Sequence, residues 1–245
     1  MTSHRSKVTQ VLAHRGASAA HPENTIAAFR GAAAMGAHAV ELDVRRTRDG
    51  VLVVHHNPGL ADGRLVCATD AADLPETVAR LDEALDACAG MWVNVEIKND
   101  PNEADFDVTE SIADDTMALL VGRGEPDRWL ISSFRIETVD RCRQLADAAG
   151  VAGAAIRTAW LTEGVDSAGD GDVADRLVAQ GHSAIHPWVG GLRRVDIDAC
   201  HAAGIEVNTW TCDDPDRMRE LIEWGIDGIC TNVPDVALSV LAEFG

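Results

Sequence analysis

The sequence predicts a (β/α)8 barrel, because short β-type runs alternate with Ala-rich helical stretches along nearly all of its 245 residues. One of the strands that can be read lies too close to its predecessor to be a parallel neighbour. Setting it aside leaves as many strands as helices, eight of each, and about 250 residues is the usual length of such a barrel. An open doubly wound sheet is the runner-up fold, but no G-x-G-x-x-G follows any strand.

The first strand, near residues 9–13, leads into Ala13-His14-Arg15-Gly16. A helix at about 25–35 follows a polar turn in which Asn24 or Thr25 can serve as N-cap. The second strand is the alternating run near 39–44, and the third is an arm near 51–55. Only residues 45–50 lie between them, so the two must form an antiparallel hairpin, with Asp49-Gly50 as its turn signal. If Arg48 and Val51 flank that turn, His56 comes to about the level of Asp43. Residues from about 51 to 75 then form an excursion after barrel strand two. The remaining strands, near 92–97, 129–132, 156–161, 184–186, 205–210 and 228–231, alternate with helices. These helices fall at about 81–88, 104–121, 136–149, 173–180, 195–203, 215–224 and 236–243. The expected organisation is a single domain over residues 1–245.

Composition narrows the function classes. The 40 acidic residues against 21 basic ones give a formal charge of -19, a surface whose mean field repels polyanions. Nucleic-acid affinity rests on neutralising phosphates with Lys and Arg, so nucleic acid is not an expected partner. An anionic substrate has to be held locally, by a metal ion or a few focused cations. The 6 cysteines show no C-x-x-C spacing and read as reduced thiols. No apolar run approaches the roughly 20 residues of a membrane span, so the expectation is a cytoplasmic enzyme without an integral membrane segment. Oligomeric state leaves no mark in the sequence.

In a barrel, chemistry collects at the C-terminal ends of the strands. His14 and Arg15 stand at the end of the first strand, where a histidine can move a proton near neutral pH and an arginine can grip phosphate oxygens. A polar turn with a helix cap accounts for the same residues. Alternation puts Glu41 and Asp43 on one face of their strand, and Asn94, Glu96 and Lys98 on one face of theirs. Acidic residues are depleted from strands, and neighbouring carboxylates repel unless a cation joins them. Three carboxylates without a Cys or His cluster suit a hard divalent cation, Mg2+ or Ca2+. An internal ion pair of Lys98 with Glu41 or Glu96 is the alternative. Of His55 and His56 one must face the site, and the hairpin register favours His56. Paired with His14 across a metal-bound anion, it supplies the acid and base that phosphodiester cleavage needs.

The spaced set HRG, PENT, E-x-D, T-x-DG, VVHHNP, E-I-K, TWT and GIDGICTNVP runs in order from His14 to about Pro234 and resembles the glycerophosphodiester phosphodiesterases. The resemblance implies a (β/α)8 barrel and metal-dependent hydrolysis of glycerophosphodiesters to glycerol 3-phosphate and an alcohol. It implies that His14 and His56 are the general acid/base pair, that Arg15 binds phosphate, and that Glu41, Asp43 and Glu96 hold the metal. Lys98 becomes a second cation on the phosphate or glycerol side, and Trp210 matches the family's late tryptophan beside the substrate. Glu23 matches an acidic residue near the metal and His14. Ser133 and Phe134 resemble an S-F step at the same mouth, which Trp160 and Trp188 would border from their strand ends. Two positions depart from the pattern: Asn57, where Asp usually follows the second histidine, and Thr211-Cys212-Asp213, where T-V-N is more usual. Alternative readings are phospholipase D-like intramolecular transfer giving a cyclic phosphate, and a catalytically silent ligand-binding barrel.

Overall fold

A computed structural model of the chain describes residues 8–150, 155–165 and 173–245. Among them the strands are β1 (Gln10–His14), β2 (Ala39–Arg46), β3 (Leu52–Val54), β4 (Trp92–Ile97), β5 (Trp129–Ser133), β6 (Arg157–Thr162), β7 (Ala184–Pro187), β8 (Glu206–Thr209) and β9 (Gly228–Thr231). All except β3 are parallel and pair in the order β1-β9-β8-β7-β6-β5-β4-β2, and β2 pairs with β1 to close the barrel. Helices α1 (Ile26–Met35), α2 (Leu81–Ala87), α3 (Ser111–Arg123), α4 (Ile136–Ala148), α5 (Val173–Gln180), α6 (Arg194–Ala203), α7 (Pro215–Glu223) and α8 (Pro234–Leu241) surround it.

Strand alternation decides what the barrel encloses. Val40, Leu42 and Val44 of β2, with Val93, Val95 and Ile97 of β4, pack outward against Phe29 of α1 and Leu81 and Leu85 of α2. Val11, Ile185, Val207 and Ile229 do the same on the opposite side, against Leu177, Ile197 and Leu221. Inward-facing Leu12 and Ala39 on one side, and Leu130, Ala159 and Ala184 on the other, share Trp92 as a neighbour and plug the N-terminal end. One layer higher the inward positions turn polar, with Glu41, Asn94, His186 and Asn208 all buried. The apolar outer shell frees the interior of the C-terminal half for chemistry.

The hairpin forms, with a register one residue from the expected one. β3 pairs with Val44 to Arg46 of β2 beyond the point where β1 ends, Val54 opposite Val44. The His55 amide donates to the Asp43 carbonyl at 3.0 Å, so His55 rather than His56 is level with Asp43. The cause lies in the turn. The Thr47 amide donates to the Val51 carbonyl, the Val51 amide donates to Thr47 Oγ1, and Gly50 takes a left-handed φ of 83°. The loop thus closes on Thr47, as in a three-residue turn whose glycine sits in the left-handed region.

Two expected boundaries also move. The excursion reaches past residue 75, because the Val54 amide donates to the Ala79 carbonyl and Val53 bridges Arg80, tying the chain down until α2 begins. The helix expected from 104 begins at Ser111, because the Asp107 carboxylate accepts from Ser111 Oγ and the Ile112 amide. From three residues before the N-cap residue Glu110, the Asp107 carboxylate thus satisfies an amide the first helical turn leaves unpaired.

Candidate active site

A cavity opens among the C-terminal strand ends. His14, Arg15, Glu41, His56, Glu96 and Lys98 line one side, and Phe134, Leu161, His186, Asn208 and Trp210 the other. The loop after β1 aims the first two. Arg15 has a φ of 55° and Gly16 a φ of 82°, and a Cβ on Gly16 would stand 2.6 Å from Ala28 of α1. Only glycine lets the loop lie this close to the helix. The Arg15 amide donates to Glu41 Oε2 at 2.9 Å, and its Nη1 donates to both Glu23 oxygens at 3.0 and 3.1 Å. Arg15 Nε lies 3.3 Å from Asp43 Oδ2. Thr25 is the residue that caps α1, while Asn24 donates from Nδ2 to Asp43 Oδ2 at 2.7 Å.

Glu41, Asp43 and Glu96 each bring a carboxylate oxygen within 4.8 Å of the others, and all three are buried. Lys98 Nζ stands 2.7 Å from Glu96 Oε1 and 3.7 Å from Asp43 Oδ1, so the ion pair read as an alternative exists beside the carboxylate trio. Burial, then the Asp43 and Glu96 carboxylates, pushes the Glu41 carboxyl well above its usual range. Burial likewise raises Glu96, against the pull of Lys98. Asp43 moves the other way: burial opposes its ionisation, but Lys98 and Arg15 hold it below the ordinary value. Glu41 Oε1 and Asp43 Oδ1 are buried without a hydrogen-bond partner. Such oxygens are costly to leave unsatisfied, and a hard divalent cation among three carboxylates would satisfy both.

The histidines converge on this trio. His14 Nε2 lies 4.0 Å from Glu41 Oε2, and its Nδ1 meets Asn232 Oδ1 at 2.7 Å. His56 lines the same cavity, with Nδ1 at 2.9 Å from Asn57 Oδ1, whereas His55 is not part of the lining. Burial and then Arg15 lower the affinity of His14 for a proton. Burial lowers that of His56 against the pull of Asp43, with Lys98 and Arg15 adding to the effect.

Behind His56 sits a buried Arg45, whose Nε donates to the His56 carbonyl at 2.9 Å and whose guanidinium pairs with Asp105 at 2.6 Å and Glu103 at 2.9 Å. The Arg45→Met variant leaves two carboxylates and a carbonyl without their cation. It is expected to be destabilised by about 3–5 kcal/mol. Urea unfolding checks this, and an unchanged midpoint would mean that the clamp contributes nothing net.

Of the residues singled out in the sequence, Trp210 lies on the cavity wall, its Nε1 donating to the His186 carbonyl at 2.8 Å and its ring edge-to-face with Phe134 at 5.3 Å. Trp188 is exposed nearby, and Trp160 Nε1 donates to the Phe134 carbonyl at 3.0 Å. Sequence reasoning assigns no role to Asn232 and treats Asp213 only as a departure from a pattern, yet both stand behind His14. The available signal is that they follow adjacent strands, β8 and β9. It also passes over the buried pair in which His186 Nε2 accepts from Asn208 Nδ2 at 3.0 Å. Burial, then Arg157, pulls His186 down to about 3, so that ring is a neutral hydrogen-bonding group.

Residues 14–236 match the model of the glycerophosphoryl diester phosphodiesterase family. The probable glycerophosphodiester phosphodiesterase 2 of Mycobacterium tuberculosis is 31% identical over 252 residues, covering 96% of this chain and 91% of that protein. A glycerophosphodiester phosphodiesterase of Caldanaerobacter subterraneus is 27% identical, covering 97% and 99%. The solved structure of an Oleispira antarctica phosphodiesterase in complex with the product sn-glycerol-3-phosphate superposes with a TM-score of 0.78 at 25% identity, covering 96% of this chain and 97% of that one. Among the described residues no helix is long and apolar enough to cross a membrane.

Proposed function

The chain belongs to the glycerophosphoryl diester phosphodiesterase family and is a phosphoric diester hydrolase; from that premise we propose that it hydrolyses glycerophosphodiesters to glycerol 3-phosphate and an alcohol by metal-dependent histidine acid/base catalysis. The observation that carries this reading is the meeting of two histidines, two cations and the carboxylates of Glu41 and Glu96 around one cavity, with the Asp43 carboxylate grouped beside those two. Glu41, Asp43 and Glu96 would hold a divalent cation, Mg2+ or Ca2+, which when bound supplies positive charge for the phosphate oxygens.

Arg15 and Lys98 face the same phosphate and neutralise it from the protein side. Fixed charges of this kind need no reorganisation as charge develops, and stabilise the transition state more than the ground state. Glu23 orients Arg15 through its two hydrogen bonds. One histidine removes the proton from the attacking oxygen, that of water or of the neighbouring glycerol hydroxyl. The other gives a proton to the leaving alkoxide, and the Nδ1 of His56 meets Asn57 Oδ1. Trp210 and Phe134 offer ring faces and edges to the C–H surface of the glycerol.

The test is release of glycerol 3-phosphate from a panel of glycerophosphodiesters, with chelator and with added Mg2+, Ca2+ or Mn2+. Metal-dependent release is expected. A cyclic phosphate as final product would replace hydrolysis by intramolecular transfer, and no release with any metal would leave a binding barrel.

A further inference from the structure

We propose that Asp213 and Asn232 are positioning residues that hold the His14 ring with hydrogen on Nδ1 and leave Nε2 for the substrate. The inference rests on the reaction proposed above and adds to it which nitrogen of His14 exchanges the proton and what fixes it.

The polarity of the hydrogen bonds runs one way from Asp213 to the cavity. A carboxylate only accepts. Asp213 Oδ1 accepts from Thr231 Oγ1 and from the Asn232 amide, each at 2.8 Å, and Oδ2 accepts from Asn232 Nδ2 at 2.6 Å. Asn232 is therefore fixed with its NH2 toward Asp213 and its oxygen turned away. That oxygen accepts from Ser18 Oγ at 2.9 Å and meets His14 Nδ1 at 2.7 Å. A flipped amide would set its oxygen against the Asp213 carboxylate. An amide oxygen only accepts, so His14 Nδ1 has to donate. In a neutral imidazole the lone pair is then on Nε2, the nitrogen that lies 4.0 Å from Glu41 Oε2.

His56 has no equivalent anchor. Its Nδ1 also meets an amide oxygen, at 2.9 Å, but that amide belongs to the exposed Asn57, whose Nδ2 has no partner among the described residues. Asn57 can turn over and accommodate either tautomer. The asymmetry between the two histidines is thus built from Asp213. In the step itself, His14 exchanges its proton at Nε2 while Nδ1–H stays on Asn232. As base, the neutral ring takes the proton of an attacking water as the water oxygen bonds to phosphorus; as acid, the imidazolium gives its Nε2 proton to the alcohol oxygen as the bond from phosphorus to that oxygen breaks, and His56 plays the converse part. Exchange with water restores both rings, and the net change is diester plus water to monoester plus alcohol.

Two measurements test this on the full chain. Long-range 15N–1H NMR of 15N-histidine-labelled protein at neutral pH, with the His14→Gln variant to identify the resonances, is expected to show His14 with Nδ1 protonated and Nε2 bare. Asn232→Ala and Asp213→Asn are each expected to lower kcat by about 10- to 100-fold with little change in KM, the usual cost of losing an outer partner of a functional histidine. The double exchange, Asp213→Asn with Asn232→Asp, keeps one amide donor facing one carboxylate and still offers His14 Nδ1 an acceptor. It is expected to recover most of the loss. A wild-type His14 protonated on Nε2 overturns the proposal, as does an Asn232→Ala enzyme with full kcat and only a lowered Tm. So does a double exchange no better than the single variants. A wild-type protein that cleaves no glycerophosphodiester removes the reaction proposed above, and the NMR result still decides the tautomer.

Discussion

Replacing His14 or His56 by alanine is expected to lower kcat for glycerophosphodiester cleavage by about 10²- to 10⁴-fold, the range a general acid or base contributes. KM should change little, because Arg15 and Lys98 remain to hold the phosphate. Both rings line the cavity that contains Glu41 and Glu96, and each has its Nδ1 on an asparagine oxygen, which leaves Nε2 for the chemistry. His55 is the internal control. It is adjacent in sequence, but its Nδ1 meets the Asn57 carbonyl at 2.8 Å and it does not line the cavity. His55→Ala should therefore keep near-normal turnover. Steady-state kinetics of the three variants checks this, and near-normal turnover by both His14→Ala and His56→Ala would sink the acid/base assignment.

Loss of a trio carboxylate should separate stability from activity. Glu41→Gln is expected to lower activity by more than the roughly 10- to 100-fold typical of outer-shell changes at a metal site. Without added cation the same variant is expected to be more stable than wild type. The reason is that burial and the neighbouring Asp43 and Glu96 raise the Glu41 carboxyl, so its ionisation works against the fold at neutral pH and the strain is relieved as pH falls. With cation at about 100 times its Kd, wild type should gain about 2.7 kcal/mol. Glu41→Gln should gain far less. Thermal unfolding of both proteins with chelator and with added Mg2+ or Ca2+ reads the two effects together. A Glu41→Gln protein with the full cation-dependent rise in Tm would show that the cation sits elsewhere.

The parts of this site that could be read from the sequence depend on local rules. A period of two puts Glu41 and Asp43 on one face and Val40, Leu42 and Val44 on the other, whatever the rest of the chain does. The short segment between β2 and β3 forces an antiparallel return and brings the His55-His56 pair back to the first carboxylates. The same locality explains the misses. The register slipped by one residue because a hydrogen bond from the Thr47 amide to Val51 chose the turn, and turn type is a balance of small local terms. Helix α3 started late because one side chain, Asp107, captured its first turn.

Barrel closure decided the remainder. Asn232 reaches His14 across 218 positions of sequence, and Arg45 reaches Asp105 across 60, because β9 pairs with β1 and the loop after β4 folds back over the hairpin. Alternation, loop length and charge, all properties of neighbouring residues, determined which side chains face inward and that three of them are carboxylates. Which nitrogen of His14 carries its proton depends on a hydrogen bond from the loop after β9, whereas the backbone of His56 is held within the hairpin by Arg45, itself fixed by the loop after β4. The bond to His14 acquires its partner only when the last strand joins the first.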